Sequence, residues 1–395
     1  MKKRKNGEGS YGERIIKGIK YKYYCAPDKA WTVYAKTAKE LETKKKAKEQ
    51  ETTLPVMSDE KLTVSDICEK WLHTVRNEIT ANTYDAYENA INCRIKSKEG
   101  YDIGNKQATK LTPEMVECYL SSLANRYSKG TIDKTWTVLN QTILYGQKNG
   151  YIPSDHDFKS IKKPKESNVA VKKRDIKSIT LPDMDKLYAE SLRKTSRGTP
   201  LYGNAAKVEV FIMYSGLRIG EAIGLRWENV SSDFRSIRVV QSGARVVERN
   251  ADGSPVMDGE HKKYVNIQKE TKTESGERTV PLPKKAEEIL HFFDAAFPDH
   301  KPDDNVFLTS KGTVFHKRNI ERTLERMLKR SDCECKEYTP HSLRHGYGSV
   351  LLREGVDIKT VSVLLGHKDV STTYNIYIHV LEKDKIKAVR NVFDR

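Results

Sequence analysis

Short apolar runs and turn-forming residues alternate over the first 52 residues of the chain. The runs are residues 15–16, 19–24 and 31–34. Gly18 and Pro27-Asp28 separate them, which predicts three strands joined by turns. Beyond Thr37 the apolar and charged positions change to helical spacing. We therefore predict a small three-stranded sheet followed by one helix over residues 1–52. Because aromatic and basic residues alternate on the strands, we expect the aromatic side chains to pack on the helix and the Lys and Arg side chains to face a groove.

Residues 60–160 carry apolar side chains at helical spacing, after a short polar linker. Thr63 and Asp66 resemble the cap that opens a helix, because an apolar stripe with a helical period follows them. Three further helices are predicted at residues 80–95, 112–123 and 131–149. The helix at residues 112–123 has its own start signal in Thr112-Pro113, because proline suits the first helical turn. The pattern predicts a compact four-helix unit.

Residues 179–395 form the last and largest predicted unit. An apolar helical run ends at Gly216, and helices resume at Lys284. Between them, strand-like segments lie at residues 236–240, 244–247, 264–267 and 278–281. Apolar positions spaced among charges after residue 379 predict an amphipathic tail helix. The fold class is therefore multidomain α+β: a small sheet plus helix, a helical bundle, and a mainly α-helical unit with a small β-sheet.

The charge of the chain changes this picture by suggesting a partner. Its 71 Lys and Arg exceed its 54 Asp and Glu, giving a net charge of +17. Residues 1–48 alone hold 15 basic and 5 acidic residues. Such an excess favours a polyanion, most simply nucleic acid, although solvated surface lysines are the ordinary alternative. The basic linker at residues 161–178 fits either a strap along a phosphate backbone or a flexible tether.

The remaining composition favours an intracellular protein. The six cysteines are scattered, and Cys333 and Cys335 form only a lone CxC, which is weak support for a metal site. We expect a reducing, cytoplasmic location associated with the nucleoid. No stretch approaches 18 apolar residues, so we expect no membrane span.

Three segments place phosphate-binding residue types beside helix ends. Arg218 stands between two glycines with Glu221 three residues on, where a planar guanidinium can grip two phosphate oxygens. His341 and Arg344 share one face near a predicted helix start, which favours an anion. His367 directly follows a glycine that ends a helix. Each segment alone is a frequent accident; together, with tyrosines just downstream, they indicate covalent chemistry on a phosphodiester.

The ordered set of motifs resembles the tyrosine recombinase (phage integrase) family. The set comprises Gly-Leu-Arg-Ile-Gly-Glu, Lys-Thr, His-Ser-Leu-Arg-His, Leu-Gly-His and Thr-Thr-x-x-x-Tyr-x-His-Val, all between residues 216 and 380. The two units before it resemble the arm-binding and core-binding domains of integrases from conjugative transposons. The resemblance implies four regions: arm-binding 1–52, core-binding 60–160, basic linker 161–178 and catalytic 179–395.

The resemblance also implies a role for each matched residue. Arg218 and Arg344 would clamp the scissile phosphate, with Glu221 supporting. Lys272 matches the lysine of a mobile hairpin, with Lys262, Lys263 and Lys269 as nearby alternatives. His341 and His367 match the two active-site histidines. Tyr377 matches the nucleophile, and Tyr374 is the competing candidate.

These roles imply strand cleavage through a 3′-phosphotyrosyl intermediate. A phenol needs activation, and two arginines can both favour the phenolate and neutralise the charge that grows on phosphate. We therefore expect no metal, cofactor or ATP, with Lys272 protonating the leaving 5′ oxygen and His341 exchanging protons with the attacking oxygen.

Three functions are considered for a chain with these motifs. A recombinase that integrates and excises a mobile element best explains the additional basic sheet, because a second DNA contact raises affinity through effective concentration. A type IB-like topoisomerase or a catalytically silent regulator are the alternatives.

The expected partners follow from the family resemblance. They are double-stranded DNA at core and arm sites and further copies of the chain in a tetramer on DNA, with or without an excisionase and a host DNA-bending protein. The tail helix would dock on a neighbouring protomer or pack on its own domain.

Overall fold

The computed structural model of the chain describes residues 9–16, 18–26, 31–52, 62–172, 179–270 and 276–383. The chain divides into two compact units, Met1–Lys173 and Arg174–Arg395. In the described residues most elements are helices and the rest form small sheets, which confirms the predicted α+β class. Across the same residues, no helix combines the length and apolar composition that a membrane span requires. Lys272 and the predicted tail beyond residue 383 lie outside the described residues.

The first unit begins with the predicted antiparallel sheet and helix. Its elements are β1 (Ser10–Ile16), β2 (Ile19–Cys25), β3 (Thr32–Ala35) and α1 (Ala38–Thr52). β2 is the central strand. Tyr24, Ala35 and Leu41 form a small core between the sheet and α1, with Trp31 against its edge. The sheet is therefore held by a few aromatic and aliphatic side chains.

The two faces of this sheet do not divide their aromatic and basic residues as the sequence suggested. We expected aromatic residues to pack on the helix and lysines to face a groove. Tyr24 does pack on α1, but Lys22 lies two residues away and so shares its face. Tyr21 and Tyr23 are therefore on the open face, where the ring of Tyr23 lies 5.9 Å from that of Tyr34. The expectation was wrong because strand alternation puts Lys20, Lys22 and Tyr24 in one row.

A helical bundle completes the first unit. Its helices are α2 (Val64–Thr74), α3 (Ala81–Ala90), α4 (Pro113–Leu123) and α5 (Lys129–Lys148), and α3 continues as a π-helical turn over Ile91–Ile95. α2 begins with the predicted capping box, since Thr63 and Asp66 satisfy each other's backbone amides. Leu120, Val138 and other fully buried side chains fill the space between the helices.

Packing extends this bundle beyond its predicted end at residue 160. Val169 is buried in the bundle core. The backbone amide of Ala170 donates to the carbonyl of Ala124 at 2.8 Å, and the amide of Lys162 donates to the Glu117 carboxylate at 2.8 Å. Residues 161–172 of the predicted linker are thus fastened to the helices, and residues 173–178 lie outside the described residues.

The second unit is built around one almost completely buried helix. Its helices are α6 (Leu181–Ser191), α7 (Gly203–Ser215), α8 (Ile219–Ile223), α9 (Lys284–Ala296), α10 (Lys317–Arg330), α11 (Pro340–Arg353), α12 (Ile358–Leu365) and α13 (Val370–Lys383). α7 is apolar on nearly every side, and Val208, Phe211 and Ile212 have no solvent-accessible surface. It forms the centre on which α6, α8, α9, α10 and α11 pack, whereas α12 and α13 pack together with α11.

Paired strands lie between α8 and α9. They are β4 (Ser236–Val239), β5 (Gln241–Val247), β6 (Met257–Asp258), β7 (His261–Lys262), β8 (Tyr264–Glu270) and β9 (Arg278–Pro281). β4 pairs with β9, β5 with β8, and β6 with β7, each antiparallel. The predicted strands are present, and the pairing brings Arg278 at the start of β9 opposite Val239.

Candidate active site

The turn between α7 and α8 presents the first predicted arginine. α7 ends at Gly216, whose φ of +67° is left-handed. Arg218 then occupies the position before α8 and its backbone amide donates to Glu221 at 2.9 Å. Its side chain is 43% exposed and donates to the Glu221 carboxylate at 2.6 Å and to the Gly366 carbonyl at 3.1 Å. Arg218 is therefore both held in place and open to a ligand.

Glu221 is the buried anion on which three arginines converge. Arg278 forms a bidentate pair with it, at 2.7 and 3.2 Å. Arg218 contacts one of its oxygens, and Arg344 lies 3.7 Å from the other. Burial raises the pKa of Glu221, but the hydrogen bond and charge of Arg278, with the charges of Arg344 and Arg218, lower it to about 2. The carboxylate is thus ionised and orients the cluster.

Arg344 is the largest fully buried side chain in the described residues. It projects from α11 and donates to the Gly216 carbonyl at 2.7 Å and to the Leu365 carbonyl. Burial, followed by the charge of Arg218, lowers its pKa to about 9. The guanidinium therefore remains charged at neutral pH and joins the α7–α8 turn to the end of α12.

Arg278 is a member of this cluster that sequence reasoning missed. Besides pairing with Glu221, it donates to the Leu364 carbonyl at 2.7 Å and to the Gly276 carbonyl at 3.2 Å. Its side chain is only 2% exposed. A signal was present, because strand alternation puts Arg278 on the same face as the apolar Val280. A charged residue on the apolar face of a strand indicates a buried ion pair.

Two histidines line the first turns of α11. His341 is at the exposed start of the helix, and His345 is buried one turn further on. Their ring centroids are 4.2 Å apart in an edge-to-face arrangement. Partial burial and the charge of Arg344 lower the pKa of His341, and burial and His341 lower that of His345 to about 4. We predicted a role for His341; His345 was not singled out, although it lies four residues on along the same helical face.

His367 follows the left-handed Gly366 that ends α12. Its Nδ1 lies 2.8 Å from the hydroxyl of the buried Thr373. Burial, with the charges of Arg344 and Arg218, lowers its pKa to about 4. The imidazole is therefore neutral at neutral pH. When Thr373 donates to Nδ1, the ring proton stands on Nε2 and is available to a phosphate oxygen.

The two candidate tyrosines of α13 differ sharply in environment. Tyr377 has no exposed surface, whereas Tyr374 is 48% exposed. The hydroxyl of Tyr377 lies 3.2 Å from Nδ1 of His345. Burial raises its pKa to about 12, although the charge of Arg344 opposes this rise. Of the two, Tyr377 is the one that the structure brings to the histidines of α11.

The structure thus gathers most of the predicted site residues. The cluster forms where α13 and the first turns of α11 meet the C-terminal ends of α7 and α12, and it contains Arg218, Glu221, Arg344, His341, His367 and Tyr377. Lys272 lies outside the described residues, so its placement is not tested. Across the described ranges, no group of three His, Cys, Asp or Glu side chains is arranged to hold a metal ion.

This arrangement is suited to chemistry on a phosphate. Arg218 supplies an exposed guanidinium, while the buried arginines and Glu221 fix its position. Neutral histidines can donate to or accept from oxygens, and a phenol lies beside them. Positive charge fixed before the ligand arrives stabilises negative charge that develops on it.

Comparison with known proteins agrees with this geometry. The phage integrase family profile matches residues 182–384, and a profile for the phage integrase N-terminal SAM-like domain matches residues 63–124. A XerC-like tyrosine recombinase of Caldanaerobacter subterraneus is 27% identical over 91% of this chain and 90% of its own length. The integrase of Staphylococcus phage L54a is 22% identical over 82% of this chain and 90% of its own.

Solved structures share the fold at lower identity. The Tn1549 transposon integrase in complex with transposon right end DNA superposes with a TM-score of 0.62 at 18% identity, covering 85% of this chain and all of that one. A lambda integrase tetramer bound to a Holliday junction gives 0.53 at 14% identity, covering 95% and 96%. With a family profile matched over half of its length, the chain belongs to the phage integrase family and is a tyrosine recombinase, an enzyme that breaks and rejoins DNA.

Proposed function

We propose that this recombinase integrates and excises a mobile element by site-specific strand exchange, with Tyr377 as the nucleophile. The observation that carries the proposal is the convergence of Arg218, Arg344 and Glu221 with the buried Tyr377, which α13 brings against α11. A phosphate clamp beside a phenol is the arrangement that transfer of a phosphodiester to tyrosine requires.

In the proposed reaction, the Tyr377 oxygen attacks the scissile phosphorus while Arg218 and Arg344 neutralise the charge that grows on the phosphate oxygens. His367 donates a hydrogen bond to one of these oxygens. The P–O5′ bond breaks, and the leaving oxygen takes a proton from Lys272. The product is a 3′-phosphotyrosine, which conserves the energy of the phosphodiester. The 5′-hydroxyl of a partner strand then reverses the step, so no ATP is consumed.

Basic surface around the site supports DNA as the substrate. α10 carries Arg318, Arg322, Arg326 and Lys329 on one exposed helical face. The charge of Lys317, at the start of α10, contributes to lowering the pKa of His341. The row of positive charge therefore begins beside the phosphate clamp and can follow a DNA backbone away from it.

We assign the remaining regions by the same reasoning. Residues 1–52 would bind arm sites, 60–160 would bind the core site, 161–178 would join the two units and 179–395 would catalyse. The open face of the N-terminal sheet offers Arg14, Tyr21 and Tyr23 to DNA. Strand exchange between two duplexes calls for four active sites, so we propose a tetramer on DNA. An excisionase and a host DNA-bending protein would assist it in the cytoplasm.

A nicked suicide duplex from the end of the element tests the nucleophile. Its cleavage releases a short strand and traps the protein on DNA, which a denaturing gel detects. We expect a covalent band with the wild type and with Tyr374→Phe, and none with Tyr377→Phe. Loss in Tyr374→Phe alone would refute the assignment of Tyr377.

Recombination itself is tested with two supercoiled plasmids, one carrying the element's joined ends and the other its target. Joined products support integration, whereas relaxation of supercoils without joining would favour the topoisomerase alternative.

A further inference from the structure

We propose that His345, rather than His341, takes the proton from Tyr377 as this tyrosine attacks DNA. The proposal rests on the function proposed above and adds a catalytic residue to it. His341 is the residue that sequence reasoning favours for exchanging protons with the attacking oxygen.

The hydrogen bond to the reacting oxygen carries this inference. Nδ1 of His345 lies 3.2 Å from the Tyr377 hydroxyl, and both residues are buried. In the described part of the chain, His345 is the one titratable side chain hydrogen-bonded to that hydroxyl. A general base must reach the proton that it abstracts, and this distance is within reach.

The backbone of α11 leaves room for this contact at one position. A Cβ added to Gly348 would lie 2.5 Å from the Tyr377 hydroxyl oxygen. Glycine there costs helix stability, since it is a poor residue for a helix interior. Because Gly348 has no side chain, the phenol of Tyr377 can pack against α11 one turn from His345.

His341 is placed to act on His345 rather than on the tyrosine. It contacts the His345 ring edge-to-face at 4.2 Å and lies at the exposed start of the helix. Its own position favours exchange with solvent or with DNA. His345 therefore stands between the nucleophile and the outer histidine.

The step balances without any further reactant. The phenolic O–H bond breaks and its proton moves to Nδ1 of His345, while the electron pair of the oxygen forms the O–P bond. The P–O5′ pair leaves with the 5′ oxygen, which is protonated as proposed above. Because bonding to phosphorus makes the phenolic proton strongly acidic, a weak base such as imidazole suffices in the transition state.

The surroundings of His345 keep it able to accept the proton. The groups that face it are His341 and Arg344 on its own helix, His367 after α12 and Tyr377 on α13. Burial, followed by repulsion from His341, Arg344 and His367, lowers the pKa of His345 to about 4, so its imidazole is neutral at neutral pH. The negative charge of a bound phosphate offsets the arginine and raises the basicity of His345 when it is needed.

The test compares two substitutions in combination with an altered nucleophile. His345→Asn keeps an acceptor near the hydroxyl but cannot take the proton, and His345→Phe removes both functions. Each is measured with Tyr377 and with 3,5-difluorotyrosine at position 377, whose phenol is more acidic. The readout is the single-turnover rate of the covalent band on the suicide duplex. We expect both substitutions to slow cleavage by roughly 10²–10⁴-fold and fluorination to restore much of the rate.

Other outcomes would overturn the assignment. A His345→Asn rate equal to the wild type would mean that His345 only positions the hydroxyl. His341→Asn is the matched comparison, and we expect fluorination of Tyr377 not to restore its cleavage rate. Rescue of His341→Asn by fluorination would make His341 the base, even if the His345 variants failed to fold. If the wild-type protein formed no covalent band with the suicide duplex, the proposed function itself would be refuted.

Discussion

At the scale of single residues, the site depends on one buried carboxylate among arginines. Glu221 pairs with Arg278 inside the protein, and Arg218 and Arg344 approach the same group. Removing one partner of a buried ion pair leaves the other charge without compensation, which destabilises more than an exposed pair would. The arginines of the proposed active site are thus also structural.

Glu221→Gln should therefore weaken folding and change its dependence on acid. The folded-state pKa of about 2 lies below the ordinary 4.5, so Glu221 stabilises the protein above pH 4.5. This contribution, about 3 kcal/mol, is lost as the pH falls towards 2. In Glu221→Gln, denaturant unfolding should show a lower free energy at pH 7 and a flatter decline in acid.

Glu325→Gln provides the control, because Glu325 is exposed on α10. This substitution should change neither the free energy of unfolding at pH 7 nor the decline of that free energy at acid pH. Identical pH profiles for Glu221→Gln and the wild type would contradict the role of the buried carboxylate.

The sequence predicts the residues of the site better than their contacts. Arg218, His341, Arg344 and His367 are found from their motifs, because local spacing fixes which face of a turn or helix they occupy. Arg278 joins segments 57 residues apart when it pairs with Glu221. His345 meets Tyr377 only because α13 packs on α11. Such contacts depend on tertiary packing, which local periodicity does not encode.

At the scale of elements, the same signal opens helices in both units. Thr112-Pro113 starts α4 and Thr339-Pro340 starts α11, and in each the threonine hydroxyl accepts from the amide three residues on. These starts are predictable because threonine satisfies a free amide and proline needs none. The sheet faces were less predictable, since the alternation in β2 shows two faces without showing which one the helix covers.

Removing the two matched caps should separate stability from catalysis. Thr339→Ala and Thr112→Ala should each lower unfolding stability by about 1 kcal/mol. Only Thr339→Ala loosens the turn that carries His341, so we expect its cleavage rate to fall by roughly ten- to hundredfold. The rate is measured on the suicide duplex under single-turnover conditions. Equal rates for the two variants would show that the cap does not position the site.

At the scale of the whole molecule, positive charge determines how tightly DNA is held. The net charge of +17 and the basic face of α10 imply several phosphate contacts. Because each contact releases counterions, six contacts lower the affinity about 10³-fold between 50 and 200 mM salt. Replacing Arg318, Arg322 and Arg326 with glutamine should reduce the slope of log affinity against log salt by about 3. An unchanged slope in a binding titration would mean that α10 does not contact DNA.

The long sequence separation within the site has a consequence for how the enzyme is made. Arg218 is held by the Gly366 carbonyl, 148 residues later in the chain, and Tyr377 is later still. The ribosome therefore releases the turn that carries Arg218 long before α13, the helix that carries the proposed nucleophile. Contacts between such distant segments form late in folding, because their loop must first close. A chain still being synthesised therefore lacks the proposed nucleophile, and the proposed active site can assemble only after α13 has left the ribosome and docked on α11.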